Sequence, residues 1–178
     1  MKSFDFNEQF AAADAESVRR RVDKFLRQRF PDALSIRRAG TANDKMGADF
    51  VIEFPHGQFR FVDMKMRRDD YKARGMDDIA LEVWSNTEQR KPGWALDDSK
   101  LTDYYLFVWV TTGRVVMFDA RALRAITKVH LSRWQTGNKC AEQRTPTMSG
   151  SYSSSVVFVS SDELALLVGR WQGIQLAA

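Results

Sequence analysis

Asp49, Asp63 and Lys65 sit at the edges of short apolar runs, where charged side chains need a reason to be. Phe50-Val51-Ile52 follows the first aspartate, and Phe59-Arg60-Phe61-Val62 precedes Asp63-Met64-Lys65. A carboxylate or ammonium in an apolar strand is costly to bury without a partner or a metal. Two carboxylates with an adjacent lysine suit Mg²⁺-assisted attack on a phosphodiester. Hard oxygens hold a hard cation, and the ammonium steadies phosphorane charge or orients the attacking water. Each residue taken singly has a plainer use: Asp49 as the cap of a strand or turn, Asp63 and Lys65 as an ion pair on an edge strand. Taken together, the trio favours chemistry.

Positioning them requires a β-hairpin. Residues 49–54 and 59–65 are rich in Val, Ile and Phe, as strands are, and Pro55-His56-Gly57-Gln58 supplies turn chemistry between them. Asp63 and Lys65 are two apart and share a face. A four-residue loop over 55–58 would set Asp49 opposite Met64, on the wrong face relative to Asp63. The spacing therefore predicts an odd loop length or a bulge, with Asp49 and Asp63 close together.

Gly47-Ala48-Asp49, an apolar strand, a tight turn, a second apolar strand and Asp63-Met64-Lys65 together resemble the PD-(D/E)XK nuclease superfamily. The family proline before the first aspartate is Ala48 here, and the resemblance covers about residues 14 to 118. It implies a restriction-endonuclease-like core and a Mg²⁺- or Mn²⁺-dependent endonuclease acting on nucleic acid, DNA first among them. In that reading Asp49, Asp63 and the backbone carbonyl of Met64 ligate metal, with Lys65 at the water or the phosphorane. Superfamily enzymes often dimerise, so a homodimer is expected, and a phage, mobile-element or defence setting is in keeping. Relatives carry a further polar residue on the next strand, which points to Glu82, although an outward-facing position explains Glu82 as well. Many carry a glutamate on the first helix. Glu16 would be that residue, but at about 100° per residue it falls well away from the Val18, Val22, Phe25, Leu26 stripe, on the wet face. Asp14 lies nearer the apolar edge, and Glu8 would face inward if the helix starts that early. A Lys or Gln before the fourth strand, here Lys100, is placed near phosphate. Trp94 is read as a core residue or a base-stacking one, with core the commoner use. Asp44 and Lys45 enter the first hairpin strand, where an Asx-turn is the simplest role for Asp44.

Charge distribution fits a phosphate track. The net charge is +4 and the pI about 9.3, which is compatible with nucleic acid without requiring it. Arg19, Arg20 and Arg21 are consecutive, Arg37 and Arg38 precede the hairpin, and Lys65, Arg67, Arg68, Lys72 and Arg74 follow. Arg67, Arg68, Lys72 and Lys100 are the expected phosphate contacts. The plainer reading of all of them is a solvated surface.

Other chemistries are disfavoured. Two histidines and the single Cys140 leave no His/Cys zinc site, and neither a P-loop nor a Gly-x-Ser-x-Gly elbow is present. His130 and His56 have no catalytic neighbours in sequence, and nothing beside Cys140 marks a nucleophile. No apolar run approaches the roughly 20 residues that span a membrane. With no signal-peptide pattern and a lone cysteine, the cytoplasm is the expected compartment.

The remaining elements follow from periodicity. We expect a helix from about 8 or 14 to 29, a short strand at 34–36, the hairpin, a charged loop over 66–78 and a strand at 79–84. A loop with one or two helical turns before 102 should follow, then strands at 104–111 and 114–118 and a helix over 120–135 with Leu123, Ile126, Val129 and His130 on one side. A long polar loop is expected over 136–154, then a strand at 156–159 and a C-terminal helix capped by Ser160 with Glu163. This order predicts an α+β (α/β) fold, a central mixed sheet flanked by helices, in one domain of residues 1–178. Its core would run from about 8 to 135, with a strand–helix extension at about 151–175. Besides a nuclease, the sequence admits a catalytically inactive nucleic-acid-binding or protein-interaction module on the same scaffold, or a small structural protein.

Overall fold

A computed structural model describes residues 16–40, 46–147 and 150–177. The elements in chain order are α1 (Glu16–Arg29), β1 (Ser35–Arg38), β2 (Phe50–Phe54), β3 (Gln58–Arg67), β4 (Ile79–Asn86), β5 (Lys91–Pro92), β6 (Tyr104–Trp109), β7 (Val115–Asp119), α2 (Ala120–Gly137), β8 (Cys140–Thr147), β9 (Gly150–Val159) and α3 (Ser161–Ala177). The fold is α+β, as the element order predicts. The strands form two sheets: a mixed five-stranded one, β1-β2-β3-β6-β7, and a four-stranded one, β5-β4-β9-β8. The described residues fall into two compact units that alternate along the chain. Unit 1 runs up to Asp70 and resumes over Leu101–Met117, and unit 2 takes Tyr71–Lys100 and everything from Phe118.

Unit 1 is built on the five-stranded sheet. Helix α1 buries Val18, Val22 and Leu26, the same stripe that its sequence period requires. They pack with Phe30, Phe50, Ile52, Val62, Leu106 and Val108. Phe50 and Ile52 are two apart on β2, and Leu106 and Val108 two apart on β6, so one face of the sheet is covered by α1. Met64 and Met66 extend that face. Asp63 and Lys65 alternate with them and occupy the opposite one. β2 and β3 run antiparallel, whereas β3 and β6 are parallel, and the connection between the latter two carries part of unit 2.

The hairpin turn satisfies the expectation of an irregular connection. Phe54 pairs with Gln58, leaving a three-residue loop, Pro55–Gly57, in which His56 takes the left-handed conformation at φ 63°. The odd count shifts the register by one from the four-residue case. Phe50 then faces Val62, and Asp49 comes immediately before β2.

Unit 2 contains the larger departures. The polar stretch expected as a long loop over 136–154 is instead the β8–β9 hairpin, paired from Cys140↔Val157 to Thr147↔Gly150. Ser151, Ser153 and Ser155 alternate with Tyr152, Ser154 and Val156, a strand pattern concealed by serine content. β9 then pairs with β4, so β4 joins this sheet and does not neighbour β3. In α2, Leu123 and Ile126 are buried as expected, but Val129 is 77% exposed, and Thr127 and Trp134 complete the buried side. Asp119 caps α2 by accepting from the Ala122 amide at 2.7 Å. Ser160 caps α3 through the Asp162 amide at 3.2 Å and the Glu163 amide at 3.5 Å, as the sequence predicts. The Glu163 carboxylate turns instead to Trp134 Nε1, at 3.0 Å, and to Arg133. Among the described residues no helix is long and apolar enough to cross a membrane.

β4 carries a bulge between Glu82 and Trp84, and Gly93 lies against it. The Gly93 amide donates to the Val83 carbonyl at 2.8 Å. A Cβ on Gly93 would stand 2.3 Å from the Glu82 carbonyl oxygen, a backbone atom that cannot rotate away. Gly93→Ala is therefore expected to destabilise the protein by about 1–3 kcal/mol, the usual range for overpacking, read as a lowered denaturation midpoint at unchanged m-value.

Candidate active site

The geometry at Asp49 begins with Gly47, whose φ of 86° requires glycine. Its carbonyl accepts from Thr102 Oγ1 at 2.5 Å, and the Leu101 amide donates to Met46 at 3.1 Å, tying the entry of β2 to the residues before β6. Ala48, where the resembled motif has proline, is buried. The Asp49 amide donates to the Val62 carbonyl at 2.8 Å, although Phe50 is the register partner of Val62. Two residues thus face one, the geometry of a β-bulge, and at this point β2 leaves β3.

The Asp49 side chain takes over where the backbone ladder stops. Its Oδ2 accepts from the Met64 amide at 2.6 Å. The amide and carbonyl of a strand residue lie on the same edge, so the Met64 carbonyl also points to the Asp49 side of β3. Next along the chain, Asp63 is buried at 7% exposure, and its Oδ2 lies 2.9 Å from Lys65 Nζ. Opposite Asp63 and Lys65 on β6 stand Tyr105 and Phe107, both buried. Partners in register share a face, so the ion pair is flanked by rings that lower the local dielectric and strengthen it.

Unit 1 therefore shows two pairings among the expected groups: the Asp49 carboxylate with the Met64 main chain, and the Asp63 carboxylate with the Lys65 ammonium. Their donor chemistry fits Mg²⁺ or Mn²⁺. Magnesium is typically held by one or two carboxylates while keeping several waters, and both oxygen types here are hard ligands. Among the described residues no group of three or more His, Cys, Asp or Glu side chains is gathered for a metal.

The other expected residues are placed differently. Arg67 ends β3 and Arg68 follows it, and their carbonyls accept from the Val110 amide at 2.8 Å and the Thr111 amide at 3.1 Å. Arg67 is half-buried and Arg68 exposed, and by alternation Arg67 shares the Lys65 face. Glu82 was expected to reach the carboxylates if its strand lay beside β3. It instead belongs to unit 2, on a strand flanked by β5 and β9, because the β8–β9 hairpin provides the pairing edge. Its Oε2 faces the Trp94 amide at 3.4 Å, at the turn after the bulge, and Trp94 is half-buried. Lys72 is 2.9 Å from Asp162 and 3.3 Å from Asp77, so two acids of unit 2 already neutralise it, and its pKa is raised by those bonds, that to Asp162 first. Glu16 is exposed and paired with Arg20 at 2.9 Å, on the wet face as its helical angle requires. Glu8, Asp14, Asp44 and Lys45 lie outside the described residues.

Lys100 acts on Asp97. Burial raises the Asp97 pKa, but the Ser99 hydroxyl and amide, followed by the charges of Lys100 and Arg124, outweigh it and hold the carboxyl below its ordinary value. A carboxyl depressed in the folded state adds stability above its unfolded pKa, and that contribution is lost as pH falls through the lowered value. Asp97→Asn should therefore flatten the acid limb of stability against pH while leaving its slope near neutrality unchanged, as followed by denaturation across a pH series.

Two acids outside the apolar runs were missed in the sequence, and both fix the strands that bear the site. Asp103 accepts from the Phe61 amide at 2.7 Å and its own amide donates to the Phe61 carbonyl at 2.9 Å, which sets the register of β6 on β3. Asp70 holds Arg114 through two bonds of 2.8 and 2.9 Å and accepts from Thr112 Oγ1 at 2.7 Å. The Arg114 guanidinium also lies 3.5 Å from the Trp109 ring centroid. An aspartate directly before an apolar strand is the only local signal that would have pointed to Asp103.

The Asp49 bond predicts a stability effect separable from catalysis. Asp49→Ala leaves the Met64 amide without its acceptor and should destabilise by about 1–3 kcal/mol. Asp49→Asn retains an acceptor oxygen and should recover most of that loss in denaturant titrations. No family model, no curated protein and no solved structure matches this chain.

Proposed function

We propose that the protein is a metal-dependent nuclease that hydrolyses phosphodiester bonds of nucleic acid, with DNA as the expected substrate. The observation supporting this reading is the convergence in unit 1 of the Asp49 carboxylate on the Met64 amide and of Asp63 on Lys65, at the bulge where β2 parts from β3. The likeness to the restriction-endonuclease-like core rests on the same residues and on the mixed sheet that bears them.

Asp49, Asp63 and the Met64 carbonyl would hold Mg²⁺ or Mn²⁺. When bound, such a cation screens the phosphate charge and lowers the pKa of a coordinated water. The chain's own groups do the rest. Lys65, fixed by Asp63, presents an ammonium to the non-bridging phosphate oxygens as charge builds on them. The Met64 amide orients the Asp49 carboxylate by occupying one of its oxygens. Water adds to phosphorus, the bond to one ester oxygen breaks, and a proton is transferred to that departing oxygen. Arg67 and Arg68, next on the strand, are suited to the adjacent phosphates. A homodimer would let two such sites act on two strands. With its lone cysteine exposed as a thiol, we place the enzyme in the reducing cytoplasm.

The test is cleavage of duplex, branched and single-stranded substrates with and without Mg²⁺ or Mn²⁺. Lys65→Ala should lower the rate by about 100- to 1000-fold, the loss typical of one electrostatic donor, and Asp63→Asn should lower it at least as far. Mn²⁺ should also raise the melting temperature of the wild type, and less that of Asp63→Asn. Full turnover in either variant would remove the proposal. Binding of nucleic acid without cleavage or metal response would favour an inactive binding module.

A further inference from the structure

The four-stranded sheet of unit 2 ends on two unlike edges. One is β5, only two residues long. The other is β8, of eight residues, which pairs with β9 on one side and with no strand on the other among the described residues. The Phe158 amide donates to the Lys139 carbonyl at 3.0 Å, so residues in step with Lys139 turn their backbone groups toward β9. Alternation sends the amides and carbonyls of Cys140, Glu142 and Arg144 outward, and the carbonyl of Pro146 with them. Cys140, Glu142 and Arg144 are exposed.

A long edge of this kind is either blunted or paired. Proline and charge are the usual blunting devices, and β8 has both, but neither opposes a second copy of the same strand. In an antiparallel pair about a two-fold axis through Gln143, Glu142 faces the partner's Arg144 and Arg144 faces the partner's Glu142. Each of those pairs exchanges both backbone bonds. Pro146 faces the partner's Cys140, where its carbonyl accepts and only its missing amide is lost. The Glu142 carboxylate has no partner among the described residues. Arg144 donates through Nε to Ser151 Oγ at 2.7 Å, which leaves its terminal nitrogens for a carboxylate. Centring the pair on Glu142 or on Arg144 would set like charges opposite, so charge selects the Gln143 register.

We infer that β8 is a homodimer interface: two copies of this chain join edge to edge, antiparallel about Gln143, and their four-stranded sheets become one continuous sheet. The nuclease reading expects a dimer but names no surface for it. The β8 edge supplies one from unit 2 alone and stands without that reading. Because Cys140 faces the partner's Pro146, the two Cys140 thiols are roughly 20 Å apart at about 3.4 Å per residue, and no disulfide holds the pair.

The test is sedimentation equilibrium of the full-length protein over a concentration series, in EDTA and with reductant. Wild type is compared with Glu142→Arg, Arg144→Glu and the swap Glu142→Arg/Arg144→Glu. Wild type should approach twice the 20.4 kDa mass of one chain. Each single variant sets like charges opposite at two places and should raise the dissociation constant roughly tenfold or more. The swap restores both pairs and should return it to near the wild-type value. Separately, Gln143→Cys combined with Cys140→Ser should form a linked dimer on oxidation, because axis partners in a non-hydrogen-bonded pair have Cα atoms about 4.5 Å apart, within disulfide reach. A monomeric wild type, a dimer dissolved by reductant, single variants that dimerise like wild type, or a swap no stronger than the singles would each overturn the interface. Should a charge variant melt early, the Gln143→Cys cross-link decides, and its absence overturns the inference. Cleavage in Mg²⁺ is then measured on the same proteins. If none cuts but dimerisation follows the charge swap, the nuclease reading fails and the interface stands. If all cut and all remain monomeric, the reverse holds.

Discussion

The bond from the Met64 amide to the Asp49 carboxylate is the constraint around which the candidate site is arranged. β2 stops pairing with β3 one residue before a further ladder bond would form, and the donor left on Met64 would otherwise lack an acceptor. An aspartate at the bulge supplies one. This single interaction closes the hairpin, aims one carboxylate along β3 and leaves the Met64 carbonyl on the same edge. Asp63 and Lys65, on either side of Met64, then need only the alternation of the strand to face away from α1. The site is thus a consequence of where a sheet ends, a place where sheets often bear function because backbone groups there are not yet committed.

The same strand alternation explains how unit 1 reconciles a core with a charged site. Val62, Met64 and Met66 feed the face packed by α1, while Asp63 and Lys65 use the positions between them. Burial of Asp63 is tolerated because its partner ammonium lies within 2.9 Å. Removing the lysine would leave a buried carboxylate uncompensated. Lys65 is accordingly tied to the integrity of the sheet as well as to any chemistry performed there, and a functional assay of this position is informative only beside a stability measurement.

Basic residues sort by their neighbours more than by their number. Lys72, Arg20 and Arg27 are each engaged by acids within their own unit, while the Arg38 guanidinium stands 5.0 Å from the centroid of the Phe50 ring. A net charge of +4 conceals this division entirely. Lysines and arginines adjacent in sequence on a helix point about 100° apart, so a run such as Arg19-Arg20-Arg21 cannot present one surface.

Much was legible along the chain because it depends on local periodicity. The α1 stripe, the apolar strands from 50 to 66 and from 104 to 109, the Ser160 cap and the need for an odd hairpin loop all follow from spacing alone, and so does the α+β class. What sequence could not decide was pairing between distant segments. Serine-rich β9 reads as a loop until β4 and β8 are there to accept its hydrogen bonds, and its arrival takes β4, and Glu82 with it, into a second sheet. Asp103 and Asp70 are ordinary acids until Phe61 and Arg114 stand opposite them. Residue types and their period determined which side chains share a face, since that is a property of one backbone. Which faces and edges meet is settled by burial and hydrogen bonding summed over the whole chain, and only the tertiary structure contains that sum.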